Sequence, residues 1–544
     1  MFSGLAKSQL TLGAALLALT AAPAIIRSQE KVTVEIDVGA GRHAIDPRIY
    51  GIAHAEAETL RDLRIAFHRW GGNVSTRHNW QMNASNRAGD WFFESIADGS
   101  AKAGESADNF IRQSKANGAE PSITIPTLGW VAKVSRDREK LGSFSVAKYG
   151  PQTGAENDFG NGVSAATNKP ITGNDPNDAN VRSDPAFQRG WVQHLVERWK
   201  PSSGGGVRYY ALDNEPSLWH VTHRDVHPTG ASMDEVFNGA VAYATMIKGV
   251  DPGALVMGPE EWGWSAYTLS GKDQQWGVSH GWNDLPDRNA HGGADYMPWF
   301  LAQMRQRDAA ANLRLLDIFT IHFYPQGGEY GNDTSNAMQQ RRNRSTRSLW
   351  DPNYVDQTWI ATAVQLIPRM KGWIEKNYPG TKIGITEYNW GAEGHINGAT
   401  TQADILGIFG REGLDLAAYW TAPNAASPTY KAFKIYRNYD GKGGAFGETS
   451  VSARAPNPDV LSVFAAQRST DNALTVMAIN KEQSDAPSVT FQLANFKGQG
   501  AVQAWRLTSG NKITRLADAT LTGSTLTTAL PAQSITLFVI PAGS

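Results

Sequence analysis

The stretch Val207-Arg-Tyr-Tyr-Ala-Leu-Asp-Asn-Glu-Pro216 is a short apolar run that ends in polar residues and a proline. Such runs, bounded by turn residues, are typical of parallel strands that are buried on both faces. The same unit, an apolar run followed by a loop and a helical pattern, recurs between Tyr50 and about Trp420. The eight runs are Tyr50–Ala53, Arg64–Trp70, Pro121–Pro126, Val207–Asp213, Leu255–Gly258, Asp317–Tyr324, Lys382–Tyr388 and Leu416–Trp420. This repetition predicts a TIM-like (β/α)8 barrel, an α/β fold.

Past Pro423 the pattern changes to short alternating strands separated by Gly, Asn, Ser and Thr turns, without a clear helical period. This texture predicts an additional all-β sandwich domain. The alternating run Lys31–Val38 precedes the first barrel strand, and we expect it to join that sandwich. The predicted organisation is a signal peptide at 1–24, sandwich strands at 25–46, the barrel at 47–424 and the β-sandwich at 425–544.

Charge and cysteine content exclude several classes of function. The 544 residues include 51 Lys and Arg against 52 Asp and Glu, a net charge of −1, so nucleic acid is not an expected partner. Cysteine is absent, which excludes disulfides, thiolate metal sites and cysteine nucleophiles.

The first residues are typical of a secretory signal peptide. Lys7 is followed by an apolar stretch from Leu10 to Leu19, and Ala22-Pro-Ala24 fits the small-residue cleavage pattern. No other stretch has the length of a membrane-spanning helix. We therefore expect a secreted or periplasmic protein with no membrane contact after cleavage of the signal.

Two glutamates lie at the ends of two different predicted barrel strands. Glu215 follows the fourth run in Asp213-Asn-Glu-Pro216, and Glu387 closes the seventh run. In TIM barrels the chemistry sits at the C-terminal ends of the strands. Glycosidic cleavage needs one protonated carboxyl beside the leaving oxygen and one ionised carboxylate facing the anomeric carbon. The pair therefore indicates a glycoside hydrolase.

The other predicted strand ends carry polar and aromatic groups that suit a sugar site. Arg69 and Tyr324 are placed to hold the nucleophilic carboxylate, and Asn214 to bind a sugar 2-hydroxyl. Tryptophans would form the walls of a glucan groove, although each of them can equally be a core residue. The predicted substrate-binding residues are Arg69, Asn73, Trp130, Asn214, His322, Tyr324, Trp390 and Trp420.

Parts of the sequence are also compatible with a metal site, with an exo-acting glycosidase and with a polysaccharide-binding protein. The histidines His220, His223 and His227 suggest a metal site, but no HExxH motif is present, so we expect no cofactor for catalysis. An exo-acting glycosidase or arabinofuranosidase would have the same barrel and sandwich. A non-catalytic polysaccharide-binding protein would be expected to lose at least one carboxylate of the pair, and both are present.

Several long segments resemble glycoside hydrolase family 44. They are Arg69-Trp-Gly-Gly-Asn-Val-Ser-Thr-Arg-His-Asn-Trp80, Tyr210-Ala-Leu-Asp-Asn-Glu-Pro-Ser-Leu-Trp219, Gly258-Pro-Glu-Glu-Trp-Gly-Trp264, Ile321-His-Phe-Tyr-Pro-Gln326 and Ile385-Thr-Glu-Tyr-Asn-Trp-Gly-Ala-Glu393. The resemblance implies secreted, retaining endo-β-1,4-glucanases that cleave soluble β-glucans such as carboxymethylcellulose, xyloglucan and mixed-linkage glucan. It implies that Glu215 is the acid/base and Glu387 the nucleophile.

The resemblance also implies a bound structural calcium ion. Glu156 and Asp158, in the Gly- and Asn-rich insertion after Trp130, are the candidate ligands, because oxygen atoms on a flexible loop suit that ion. The expected partner is a β-glucan polysaccharide, and we expect a monomer.

Overall fold

The computed structural model describes residues 31–543. The predicted signal peptide at 1–24 lies outside the described residues. Within the described part of the chain, no helix combines the length and apolarity needed to cross a bilayer.

Eight parallel strands close into a barrel, which confirms the predicted fold class. The strands are β1 (Gly51–Ala53), β2 (Phe67–Trp70), β3 (Glu120–Ile125), β4 (Tyr209–Leu212), β5 (Leu255–Glu261), β6 (Ile318–Phe323), β7 (Lys382–Tyr388) and β8 (Leu416–Tyr419). Each overlaps one of the eight apolar runs. β1, β4, β6 and β8 are buried along their whole length, as expected of strands between a filled barrel interior and a ring of helices.

One helix of the outer ring follows each strand and packs outside the barrel. The helices are α1 (Ala57–Asp62), α2 (Glu105–Ala116), α3 (Pro185–Trp199), α4 (Met233–Val250), α5 (Tyr296–Ala311), α6 (Leu366–Asn377), α7 (Ile396–Arg411) and α8 (Pro428–Arg437). The start of α3 is set by its sequence, because Asp184 accepts a hydrogen bond from the Phe187 amide and Pro185 occupies the first turn.

Helix α8 corrects the predicted domain boundary. It lies beyond residue 424, where only strands were predicted, and it is the eighth helix of the barrel. Ser427 caps its first turn, and the buried side chains Tyr430, Phe433 and Tyr436 recur every three residues along one face. The Phe433 ring contacts that of Tyr419 in β8, with 5.6 Å between ring centroids. The barrel therefore extends to Arg437.

Most short elements lie in the loops that follow the barrel strands, so they form the wall of the C-terminal mouth. The short strands are His78–Asn79, Ala84–Asn86, Glu94–Ala97, Trp130–Ala132, Leu141–Gly142, Ala155–Glu156, Phe159–Gly160 and Asn180–Arg182. The short helices are Asn73–Thr76, Val146–Tyr149, Trp219–Thr222, Trp264–Thr268, Gly271–His280, Pro286–Ala290 and Asn336–Ser345. The 3-10 turns are Pro47–Tyr50, Ala88–Asp90, Pro176–Asp178, Ser202–Gly204, Pro216–Leu218 and Thr346–Leu349.

An eleven-stranded sheet built from both ends of the described chain forms the second domain. Its strands are Lys31–Asp37, His43–Ala44, Thr449–Arg454, Leu461–Gln467, Leu474–Asn480, Ser488–Ala494, Ala501–Leu507, Thr514–Arg515, Ala519–Thr520, Thr525–Ala529 and Ser534–Ile540. Lys31–Asp37 pairs parallel with Ser488–Ala494 and antiparallel with Thr449–Arg454. Side chains from both halves of the sheet, among them Val34, Val463, Phe491 and Phe538, enclose one apolar core.

The sheet packs against helix α7 of the barrel. On strand Ser534–Ile540, Ile535, Leu537 and Val539 join the apolar cluster of the barrel, whereas Phe538 and Ile540 face the core of the sheet domain. A buried ion pair between Lys481 Nζ and Asp404 Oδ2, 2.6 Å apart, crosses the same junction. Every residue of α7 from 396 to 410 is buried as a result, so the two domains share a continuous interior.

Candidate active site

Two carboxylates converge at the C-terminal mouth of the barrel. Glu387 is the last residue but one of β7. Glu215 lies in the turn after β4, where its backbone adopts a left-handed φ of 46°. Strain of this kind is concentrated at functional sites. A carboxylate oxygen of Glu215 and one of Glu387 lie within 4.8 Å of each other. The structure thus brings together the two glutamates that the sequence singled out.

Glu387 is held by two donors from the C-terminal ends of other barrel strands. Arg69 Nη1 at the end of β2 lies 2.7 Å from Glu387 Oε1, and the Tyr324 hydroxyl donates to Oε2 at 3.0 Å. Arg69 is fully buried and Glu387 is 5% exposed. Both oxygens of the carboxylate are therefore fixed in place by hydrogen-bond donors.

Glu215 is held from the opposite side by His322 at the end of β6. His322 Nδ1 lies 2.8 Å from Glu215 Oε1. Burial raises the pKa of the Glu215 carboxyl above its ordinary value, and the hydrogen bond from His322 opposes part of that rise. Burial alone would lower the pKa of His322, but the charge of Glu387 and the hydrogen bonds to Glu215 and Glu260 raise it to about 9. A buried carboxyl with a raised pKa is the kind of group that serves as a general acid.

A third carboxylate, on Glu260, lies beneath this pair and was missed from the sequence. Burial would raise its pKa, but the hydrogen bond from His322 and the charge of Arg69 lower it to about 2. The signal was present in Gly258-Pro-Glu-Glu261 at the fifth strand end, but two adjacent glutamates do not reveal which one faces the mouth. The pairing of β5 with β6 shifts between Pro259 and Glu261, so Glu260 sits in a β-bulge with a φ of 61°. A bulge of this kind re-aims a side chain.

The neighbouring Glu261 has a different environment. Its Oε1 accepts a hydrogen bond from Ser217 Oγ at 2.8 Å, and the side chain is fully buried. Burial raises the pKa of Glu261 to about 8, against the hydrogen bonds from Ser217. Two adjacent buried glutamates are therefore in opposite charge states at neutral pH.

A chain of amides extends from Arg69 to the rim of the site. Arg69 Nη2 donates to Asn214 Oδ1 at 3.0 Å, and Asn214 Nδ2 donates to Asn73 Oδ1 at 3.2 Å. Asn73 Nδ2 in turn lies 3.2 Å from Asp90 Oδ2. Because Asn73 is half-buried whereas Asn214 is 1% exposed, this chain links the floor of the site to its edge.

The comparisons with known proteins agree with this geometry. The family model of glycoside hydrolase family 44 matches residues 84–327. Endoglucanase A of Paenibacillus lautus is 32% identical over 542 aligned residues, which cover 94% of this chain and 73% of that protein. A xyloglucanase of family 44 from Paenibacillus polymyxa superposes with a TM-score of 0.79 at 30% identity, covering 94% of this chain and 100% of that one. This chain belongs to glycoside hydrolase family 44.

A second solved structure is more similar to this family 44 enzyme. CelM2, a bifunctional glucanase-xylanase from a metagenome library, superposes with a TM-score of 0.94 at 60% identity, covering 95% of this chain and 100% of that one. The protein is accordingly a glycoside hydrolase.

The predicted aromatic walls of this family 44 enzyme are only partly present. Trp420 is half-buried at the mouth, with the Arg69 guanidinium 5.8 Å from its ring centroid. Trp390, in contrast, is 2% exposed and donates its indole hydrogen to Ser345 Oγ at 2.9 Å. It also packs 5.6 Å from Phe323. The prediction that Trp390 binds substrate is therefore wrong, because this side chain belongs to the core.

The side chain of Trp130, a second predicted wall residue, is also largely buried, and one face of its indole is occupied. Trp130 is 6% exposed, and the Arg182 guanidinium lies over its ring at 3.9 Å. The two residues are paired across the short strands Trp130–Ala132 and Asn180–Arg182. Because the guanidinium already covers the indole, that face is not free to stack on a sugar ring.

Glu156 and Asp158 do not fit the calcium site expected of a family 44 enzyme. Glu156 Oε1 lies 3.5 Å from Lys140 Nζ, which also lies 3.0 Å from Oε2 of the buried Glu94. Both oxygens of Asp158 accept hydrogen bonds, from the Ala147 amide and from a serine hydroxyl. The Lys140 ammonium thus already lies between Glu94 and Glu156 and pairs with both.

Among residues 31–543, one group of three carboxylate or imidazole side chains lies close enough to share a cation: Glu215, His322 and Glu387. With a pKa of about 9, His322 is protonated at neutral pH and both of its ring nitrogens carry hydrogen. His322 already hydrogen-bonds to Glu215 and Glu260, and Glu387 to Arg69, an arrangement suited to acid–base chemistry.

Proposed function

We propose that this family 44 enzyme is a retaining endo-β-1,4-glucanase, with Glu215 as acid/base and Glu387 as nucleophile. The supporting observation is the gap of at most 4.8 Å between carboxylate oxygens of the two residues. Retaining enzymes have carboxyl groups about 5–5.5 Å apart, whereas inverting enzymes need about 6.5–9.5 Å to admit a water molecule.

In the first step Glu387 attacks the anomeric carbon and the glycosidic bond breaks. Glu215 gives its proton to the departing oxygen, so the leaving chain ends in a hydroxyl group. Arg69 and Tyr324 fix both oxygens of Glu387, which orients the attacking lone pair towards the anomeric carbon.

In the second step water cleaves the glycosyl ester. Glu215, now ionised, takes a proton from the water as its oxygen bonds to the anomeric carbon, and Glu387 leaves as a carboxylate. Two inversions restore the β configuration. His322, 2.8 Å from Glu215, favours the ionised form of Glu215 that this step needs.

The relatives support a β-glucan substrate. They are named an endoglucanase, a bifunctional glucanase-xylanase and a xyloglucanase. We propose that this enzyme cleaves carboxymethylcellulose, xyloglucan and mixed-linkage glucan internally. We further propose that it is exported, on the strength of the amino-terminal pattern around Lys7.

Viscometry tests the endo-acting proposal. The viscosity of carboxymethylcellulose or xyloglucan solutions should fall well before reducing ends accumulate, because internal cuts shorten chains early. Glu387→Gln, which cannot form the glycosyl ester, is the matched control and should leave viscosity unchanged. Release of monosaccharide alone, with constant viscosity, would favour the exo-acting glycosidase or arabinofuranosidase. Binding of glucan without cleavage would favour the polysaccharide-binding protein.

A further inference from the structure

One carboxylate lies behind both catalytic glutamates and contacts neither of them directly through its side chain. Glu260 Oε2 lies 3.2 Å from His322 Nε2 and 3.3 Å from Arg69 Nη2. The other nitrogens of these two residues face the catalytic pair, with His322 Nδ1 at Glu215 and Arg69 Nη1 at Glu387. Each cation therefore lies between Glu260 and the catalytic pair, although His322 Nδ1 also lies 3.6 Å from Glu387 Oε2.

The rest of the Glu260 carboxylate is fixed by uncharged donors. Thr320 Oγ1 on β6 donates to Oε1 and Thr386 Oγ1 on β7 donates to Oε2, both at 2.5 Å. The Glu260 backbone carbonyl also accepts the Glu215 amide hydrogen at 3.0 Å. Glu260 is completely buried, so a substrate cannot reach it. Glu260 therefore takes no direct part in bond cleavage, but it fixes Arg69 and His322, which contact the catalytic glutamates.

We propose that Glu260 is a positioning residue that couples the two catalytic glutamates, because one carboxylate orients both Arg69 behind Glu387 and His322 behind Glu215. This inference rests on the proposed function of the pair. A buried positive charge is costly unless it is paired. With Glu215 protonated, Arg69 and His322 carry two positive charges, and Glu260 and Glu387 carry two negative ones, so the buried site is neutral.

Removal of the Glu260 charge should act on Glu215 through His322. The groups facing His322 are Glu215, Glu260, Glu387 and Arg69. In Glu260→Gln the imidazolium loses one of its anions, so the pKa of His322 falls. A His322 that holds its proton less firmly stabilises ionised Glu215 less, so the pKa of Glu215 rises. The alkaline limb of the pH–activity profile should therefore move to higher pH.

Kinetics of Glu260→Gln test the proposal. Loss of preorganised electrostatic support should lower kcat by about 10²–10³ with a smaller change in KM. The loss of kcat should persist on aryl β-cellobiosides with good leaving groups. Glu260 also positions Arg69, so the hydrogen bond from Arg69 to the nucleophile Glu387 is weakened as well. A displaced alkaline limb together with this loss supports the proposal. A wild-type profile and a kcat within about threefold of the wild-type value would overturn it.

Two further variants separate coupling from folding. Glu261→Gln replaces the adjacent buried glutamate, which is already neutral below about pH 8, and should leave the alkaline limb in place. Glu260→Asp keeps the negative charge, so the alkaline limb of its pH–activity profile should stay at the wild-type pH even though its rate is lower. If Glu260→Gln does not fold, a displaced limb in Glu260→Asp overturns the proposal. Failure of the proposed function would instead appear as absence of β-glucan cleavage by the wild-type enzyme.

Discussion

The Tyr324 hydroxyl donates a hydrogen bond to Glu387 Oε2 at 3.0 Å, while the other oxygen of Glu387 is bound by Arg69. Because a hydrogen bond to a charged group is worth about 1.5–3 kcal/mol, Tyr324→Phe should lower kcat by about 10–100-fold. Stopped-flow release of the aryl group from an activated cellobioside would measure the step directly. Tyr330→Phe is the control, since this exposed tyrosine packs edge-on against Tyr324 at 5.5 Å between centroids. Equal losses in both variants would contradict a specific role for Tyr324.

A second prediction concerns the alkaline limb of the pH–activity profile. Burial raises the pKa of Glu215, so the acid should stay protonated above the ordinary range for glutamate and activity should fall only when it ionises. In Glu215→Gln no proton can be lost, so this limb should flatten on substrates whose leaving groups need no acid. Steady-state rates across pH on an activated aryl cellobioside would show this. An unchanged limb in the variant would mean that another residue is the acid.

A third prediction separates the two roles by stereochemistry. In Glu215→Ala, an activated aryl β-cellobioside can still form the ester with Glu387, and azide entering the vacated side should give the β-glycosyl azide. In Glu387→Gly, azide occupies the place of the nucleophile and attacks once, giving the α product. Proton NMR of the anomeric signal distinguishes them. The opposite pair of products would reverse the assigned roles.

A fourth prediction concerns stability and Glu261. The folded protein holds the Glu261 proton to about pH 8, whereas an unperturbed glutamate releases it near 4.5. The free energy of unfolding must then decrease as pH rises through this window, since the native state binds more protons than the unfolded state. Glu261→Gln removes this contribution, which is on the order of a few kcal/mol.

Urea unfolding at pH 5 and pH 8 would measure the Glu261 effect. The wild type should lose more stability between these values than Glu261→Gln does. Equal losses in the two proteins would show that Glu261 titrates normally in the folded state.

A fifth prediction concerns metal removal. Because Lys140 lies between Glu94 and Glu156, a chelator should leave the Tm of the wild type unchanged. Lys140→Ala leaves the buried Glu94 carboxylate without its cation and should destabilise the fold by about 1–3 kcal/mol. Calcium should restore part of that loss in the variant only. A Tm that falls when the wild type is treated with chelator would show that calcium binds despite Lys140.

The barrel and its glutamates could be predicted because parallel strands leave a direct mark on the sequence. A strand buried on both faces must be apolar, and the polar residue that ends it is then conspicuous, as at Glu215 and Glu387. Helix α8 was missed although Ser427 and Pro428 carry the cap signal, because its apolar residues are mostly aromatic and also suit strands. Because the sequence that follows is rich in predicted strands, the whole region past residue 424 was assigned to strands despite this capping signal.

The orientation of Glu260 and the burial of the tryptophans could not be predicted from the sequence. A bulge in β5 decides that Glu260 faces the mouth, and the local sequence does not encode which of two adjacent glutamates takes that position. Trp390 and Trp420 each follow a barrel strand, so their patterns are equivalent. Only the packing of Ser345 and Phe323 around Trp390 makes it a core residue.

The strand Lys31–Asp37 lies between Thr449–Arg454 and Ser488–Ala494 in its sheet, and this placement constrains the order of events during synthesis. At about 5–20 residues per second, the ribosome needs on the order of a minute to reach the second of these partners. When Ser488–Ala494 is about to be made, all eight barrel units have already been synthesised, yet one edge of Lys31–Asp37 is still unpaired. A chain that stops before Ser488 therefore exposes an open strand edge, a known template for aggregation. Burial of this edge therefore has to wait until the chain has been made as far as Ala494.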